Sequence, residues 1–459
     1  MMNGRSLIPF WCMVSVLLLI ATGCEEDPVT EHPIDDSDIA SGGATTVYDA
    51  GSSAFSTPAP NLFPESLEKH LAGDAEFEQV FVTPPATVNE GLGPTYNNVS
   101  CISCHPKDGR GRPPSAGEPL ASMLMRISMP GIGDHGGPVP VSGSGTQLQI
   151  RAVIGSLPEG DVLVNWTEEP GEYPDGTPYT LRRPSFTILG SLPGGVLISP
   201  RVAPPVFGLG LLEAIAEETI LTNADEADLD GDGISGKPNY AWNAAAGQTE
   251  LGRFGWKAST PTLLQQSAGA YNEDMGVTSP YFPLEHCHGT SGCDTLANDP
   301  EVDDEILQAV EFYVQTLGVP ARRNAGDPDV RSGKNLFVEI GCGGCHVAPH
   351  STGVHPIAEI SNQTVYPHTD LLLHDMGPDL ADNRPDFLAS GSEWRTTPLW
   401  GIGLTEVVSG HTFFLHDGRA RNIEEAILWH GGEAEISRNR FRELTAPDRN
   451  ALIKFLMSL

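Results

Sequence analysis

Two short strings, Cys101-Ile102-Ser103-Cys104-His105 and Cys342-Gly343-Gly344-Cys345-His346, constrain this chain more than any other feature. Each is a Cys-x-x-Cys-His, the spacing for covalent attachment of c-type haem. Two thiols add across the porphyrin vinyl groups and anchor one edge of the macrocycle. The next residue falls beneath the iron and supplies its proximal nitrogen. A chain with two such strings has to fold around two large planar groups. Zinc and local disulfides are the alternatives, and four cysteines from two pairs can form one tetrahedral site. Neither needs a histidine directly after the second cysteine, and here both pairs have one. We therefore read Cys101, Cys104 and His105 as one haem c site, and Cys342, Cys345 and His346 as a second.

The other cysteines find separate roles. Cys12 lies in an apolar run from Leu7 to Ile20, preceded by Arg5. The run is too short to span a bilayer and reads as a signal peptide over residues 1–23. Ala21-Thr22-Gly23-Cys24 resembles a bacterial lipobox, which implies cleavage before Cys24 and acylation of its thiol. Several acyl chains hold a protein firmly to a membrane where one does not. The alternative is ordinary signal cleavage with an incidental cysteine. The expected location is the bacterial cell envelope, lipid-anchored and facing the periplasm. Glu25 after the lipidated cysteine favours the outer membrane over the inner. Cys287 and Cys293, a close pair in an oxidising compartment, read as a local disulfide.

A formal net charge of −34 excludes nucleic acid as a partner. It favours steered approach by positively charged partners, such as small basic cytochromes, unless it serves only to solvate the surface. With 51 Gly and 39 Pro, many turns and irregular loops are expected. Residues 24–60 are rich in acidic and small residues and read as a flexible stalk behind the anchor. Residues 61–324 would hold the first haem with a long extension, and residues 325–459 form a second unit of cytochrome c size. In that unit, Asp329 to Ile340 can form a helix before the second motif. Thr445 and Asp448 cap a final helix carrying Ala451, Leu452, Phe455 and Leu456 on one face. The expected fold is mainly α: two cytochrome c-like haem domains with long irregular loops and little strand.

Asp228-Leu229-Asp230-Gly231-Asp232-Gly233-Ile234 looks like the first half of a calcium loop. Carboxylates stand at alternate positions, with a backbone carbonyl at Ile234. The twelfth position is Asn239 rather than a bidentate Glu, so a Ca2+ ion here would need ligands from elsewhere. A solvated acidic turn is the alternative. Trp242 and Trp256 are candidates for lying between the haems, and otherwise belong to the core.

Arg395-Thr396-Thr397-Pro398-Leu399-Trp400-Gly401 with Phe414-Leu415-His416-Asp417-Gly418-Arg419 resembles the corresponding stretch of bacterial di-haem cytochrome c peroxidases. From about Gly91 to Leu459 the chain is similar to the di-haem oxidoreductase family, whose members are often labelled thiol oxidoreductases. Further strings carry that likeness: Ser100 to Pro114, Gly252-Arg253-Phe254-Gly255-Trp256-Lys257, and Asp370 to Gly377. In the peroxidases, the second haem's sixth ligand, commonly Met, lies one helix beyond the His-Asp-Gly string. The resemblance places it here at His430. Asn422 with Glu425 makes a capping box, and Ile423, Ala426, Ile427 and His430 share a face. Imidazole in place of thioether implies a lower reduction potential than the peroxidases have at this haem. Met376 competes for the position, with His374 and His416 behind it.

For the first haem, Met123, Met125, Met129 and His135 lie within reach. The peroxidases' displaceable His and acid–base Glu have no assigned counterparts. Glu159 and Gln147 are candidates, with surface polar roles as the alternative. The expected function is a peroxidase-like di-haem oxidoreductase. Electrons would come from a donor protein, either a small cytochrome or a cupredoxin, or from a small reductant, and pass to a small oxidant. The alternative is a non-catalytic electron carrier with both haems six-coordinate.

Overall fold

The computed structural model describes Met1, residues 37–288, Cys293 and residues 299–459. The expected signal peptide, Cys24 and the first part of the stalk lie outside those residues.

The same helix crossing occurs twice. Helix Pro64–Glu78 packs against helix Asp304–Thr316, and helix Pro328–Glu339 packs against helix Ala446–Ser458. In each, a glycine stands where two backbones touch. A Cβ at Gly73 would overlap the Ala309 carbonyl oxygen, and one at Gly333 would overlap that of Ala451. Four residues on, one turn along the same face, come Phe77 and Phe337. Phe77 meets Tyr313 at 5.2 Å between ring centroids, and Phe337 meets Phe455 at 5.3 Å. Each phenylalanine also lies 6.3 Å from the histidine of its nearby Cys-x-x-Cys-His, with the rings inclined at 52° in both cases. Thus each crossing sets a phenyl ring beside one expected iron ligand.

Between the two helices of the first crossing the expectation of a mainly α chain fails. Among the described residues about 30% are helical and 20% lie in strands, most of the strands are small, and no sheet closes. Thirteen-residue strands Gly160–Glu172 and Pro178–Gly190 form a long hairpin, and Met123–Ser128 pairs antiparallel with Leu197–Val202. The physical reason is alternation. From Gly160, residues alternate buried and exposed, so that Val162 and Val164 point inward while Asp161, Leu163 and Asn165 point out. The far end of the hairpin reaches the C-terminal helices, where Tyr173 donates to Glu424 and Arg449 pairs with Asp175.

The stalk expectation also fails from residue 37 onward. Asp38 is buried and pairs with Arg322 and Lys334, and Thr46–Val47 pairs in parallel with Val319–Pro320. Phe55 stacks on Phe207 at 4.2 Å. Composition suggested a solvated tether, but these few groups find buried partners far away in the sequence. Ser37–Leu459 forms one compact unit. Among the described residues, no helix is long and apolar enough to cross a membrane.

Candidate haem sites

Each Cys-x-x-Cys-His opens onto its own cavity. Cys101, Cys104 and His105 line one of about 220 Å³; Cys342, Cys345 and His346 line another of about 190 Å³. The two cysteine pairs therefore face different cavities, which rules out one shared four-cysteine zinc site. None of these four is disulfide-bonded, and burial pushes the thiols of Cys101, Cys104 and Cys342 up to about 12.

The histidines are prepared as neutral ligands. The Nδ1–H of His105 donates to the Pro204 carbonyl at 2.7 Å, and that of His346 to the His368 carbonyl at 2.9 Å. Such a bond fixes the tautomer and leaves Nε2 for a metal. Burial lowers the pKa of both to about 4, so each is unprotonated at neutral pH. His430 repeats the device: its Nδ1–H donates to the Ala426 carbonyl at 2.7 Å, and its ring lines the second cavity with His346.

The competitors separate on geometry. His374 lines the second cavity, but both its nitrogens are engaged: Nε2 with Asp370 at 2.8 Å and Nδ1 with Glu433 at 2.7 Å. Burial opposes charge on this ring, yet its bonds to Asp370, Cys345 and Glu433 raise its pKa to about 12. With both nitrogens held by carboxylates, the ring has no lone pair to offer iron. His416 stacks on Trp394 at 3.8 Å and stands 3.7 Å from Asp417. Met376 and His416 also line this cavity.

The first cavity differs. His105 is the only histidine on its lining, and Met123 and Met275 are the thioethers there. Met125 is fully buried in a strand core, Met129 packs beside that core, and His135 stacks on Trp242 outside either cavity. Glu159 also stays away, accepting the Gln149 N–H, with burial raising its pKa to about 7. The cavity's own carboxyl is Asp274, which the sequence reading missed. Burial raises its pKa, and Gln147 donates to it at 2.6 Å. Gln147 thus holds the acid in place without reaching the cavity. The one signal in sequence was position: Asp274 closes the helix Leu263–Met275, which carries no charge in its first turn.

The wall between the cavities is short. Trp256, Arg395 and Thr397 line both. Trp256 is set by the turn Gly252–Gly255, in which a Cβ on Gly252 would overlap the Ala258 carbonyl oxygen, and its indole N–H donates to Val202 at 2.9 Å. Beside it, the fully buried Lys257 bonds Asp382 and the carbonyls of Arg384 and Ser390. Trp242 lines neither cavity.

In the acidic loop, carboxylate oxygens of Asp225, Asp228 and Asp230 lie within 4.8 Å of one another. Asp225 was not foreseen. Asp232 accepts the Ile234 N–H at 2.8 Å, and the Ile234 side chain lies against Gly344. Cys287 and Cys293 are joined as a disulfide.

Two cavities, each lined by a thiol pair and an imidazole whose Nδ1–H is committed to a carbonyl, share Trp256, Arg395 and Thr397 along their common wall. A family model described as "Di-haem oxidoreductase, putative peroxidase" matches residues 36–459, and the chain belongs to the di-haem oxidoreductase family. No curated protein and no solved structure matches it.

Proposed function

We propose that the chain is a di-haem c oxidoreductase of the peroxidase type, taking electrons from a donor and reducing a small oxidant such as hydrogen peroxide beside His105. The single observation that carries this reading is the asymmetry of the cavities. The second is lined by His430 as well as His346, whereas among the described residues the first is lined by no histidine besides His105. When bound, the haems supply the one-electron chemistry that side chains lack.

The protein's own part is to hold and protect. Cys101 with Cys104 and Cys342 with Cys345 would anchor the macrocycles. Phe77 and Phe337 brace the proximal rings, and Trp256 closes the space between the sites. Peroxide reduction consumes two electrons and two protons and yields two waters. Asp274 is the carboxyl that lines the first cavity and is placed to move a proton there; burial raises its pKa, against the pull of Arg126 and Gln147.

The test is peroxide turnover by the loaded protein with a reduced donor. Asp274→Asn should lower kcat by about 10²- to 10⁴-fold, the usual contribution of general acid–base catalysis, with unchanged haem spectra. A loaded wild type with no turnover would favour the alternative electron-carrier function. The thioethers of Met123 and Met275 lend that alternative its support.

The same reading includes three further elements. A Ca2+ ion would sit among Asp225, Asp228 and Asp230, so chelation should lower the melting temperature. A lipid anchor at Cys24 would face the protein to the periplasm, on the outer membrane; Cys24→Ala should release it from membranes. A positively charged small cytochrome or cupredoxin would serve as donor, with reduction slowing as salt screens the approach.

A further inference from the structure

Arg110 follows the first motif by five residues yet lines only the second cavity. It is 7% exposed. Its backbone is clamped from both sides: its N–H donates to Ser409 Oγ at 3.0 Å, and His411 Nε2 donates to its carbonyl at 3.0 Å. The guanidinium lies 5.1 Å from the Trp256 ring and 5.8 Å from the Phe414 ring, and one terminal nitrogen donates to the Leu415 carbonyl. Its Nε has no hydrogen-bond partner. Asp417 is the carboxylate that acts on it, but Arg419 already holds both Asp417 oxygens at 2.7–3.1 Å. A buried guanidinium with an orphaned donor and no carboxylate of its own is costly unless an anion completes it. The bidentate fork of arginine matches a carboxylate in particular.

We propose that Arg110 binds a propionate carboxylate of the haem anchored at Cys342 and Cys345, so that the segment of the first site sets the charge balance of the second. The proposal rests on the di-haem reading above. Arg110 is here a binding residue for the cofactor and is assigned no part in the chemistry at His105.

Removing the positive charge leaves the propionate uncompensated and favours ferric iron. The test uses the full-length loaded protein and its Arg110→Gln and Arg110→Lys variants. Haem content is measured first, followed by spectroscopic redox titration. Arg110→Gln should keep two haems and move the reduction equilibrium of one by about tenfold toward ferric, equivalent to 59 mV for one electron. Arg110→Lys should recover at least half of the shift. In a Cys342→Ala, Cys345→Ala background, Arg110→Gln should leave the remaining haem unchanged. Two haems with both equilibria within about twofold of wild type would overturn the proposal, as would a shift that persists in that background. Should Arg110→Gln fail to fold, the neutral Arg110→Met variant is titrated in its place, with the same shift expected and the same result overturning the proposal. A wild type with fewer than two haems would refute the underlying reading, a distinct result visible before any titration.

Discussion

Three histidines in this protein make the same small commitment, giving Nδ1–H to a carbonyl and keeping Nε2 in reserve. For His105 and His346 this was legible in the sequence, because covalent haem attachment fixes the spacing of the residues involved. His430 was legible only through resemblance and a helix cap; the structure adds its free nitrogen and its place on the second cavity. His430→Gly should convert one haem to high spin, seen in the visible and paramagnetic resonance spectra, whereas an unchanged spectrum would reassign the position to Met376. Asp274 and Arg110 were not legible. Asp274 acquires its meaning from Gln147, 127 residues away, and Arg110 from Ser409 and Leu415, about 300 residues away. No local pattern encodes contacts of that range. His374, ranked in the sequence behind His430 and Met376 for that position, has both ring nitrogens on carboxylates.

At the scale of elements, the duplicated crossing depends on two glycines. Gly333→Ala should destabilise the protein by about 1–3 kcal/mol, the usual cost of overpacking. The measurement is a lowered urea midpoint with an unchanged m-value. Gly326→Ala, where a Cβ meets nothing within 4 Å, should be near neutral. The final helix and the helix before the second motif were readable from caps and periodicity. The first crossing was not, since Pro64–Glu78 is a mostly polar helix of weak amphipathicity. The long hairpin escaped notice because Gly and Pro flank it and its alternation fades beyond Val164.

The His374 network joins strand Leu373–Asp375, the turn at Ser235 and the short helix Gly432–Ala434. It gives stability a pH dependence. His374 is raised from 6.5 to about 12, so its contribution is complete below about pH 6.5 and is lost as pH rises toward 12. Glu433 is lowered from 4.5 to about 2. Burial opposes that shift, but bonds from His374, Ser235 and the Asp375 N–H outweigh it. Its contribution is complete above about pH 4.5 and is lost as pH falls toward 2. Both are therefore whole between about pH 4.5 and 6.5. Urea midpoints of wild type should fall between pH 6.5 and 9 more steeply than those of His374→Gln; equal slopes would contradict the assignment.

For the whole molecule, the number of expected cofactor sites was readable from ten residues and the family from further strings such as Arg395 to Gly401 and Phe414 to Arg419, while the proportion of sheet and the folded state of residues 37–60 were not. Composition registers Gly, Pro and acidic residues but cannot register that Asp38 meets Arg322. The asymmetry anticipated from the two motifs takes physical form in the cavities. One is lined by His430 as well as the histidine of its motif, and the other by His105 and a buried acid, Asp274. The most direct measurement of the central claim is carbon monoxide binding to the half-reduced and fully reduced protein, followed optically. One haem should bind the gas, and it should be the haem that survives in Cys342→Ala, Cys345→Ala. If both haems stay low-spin and neither binds carbon monoxide in either state, the peroxidase reading is contradicted.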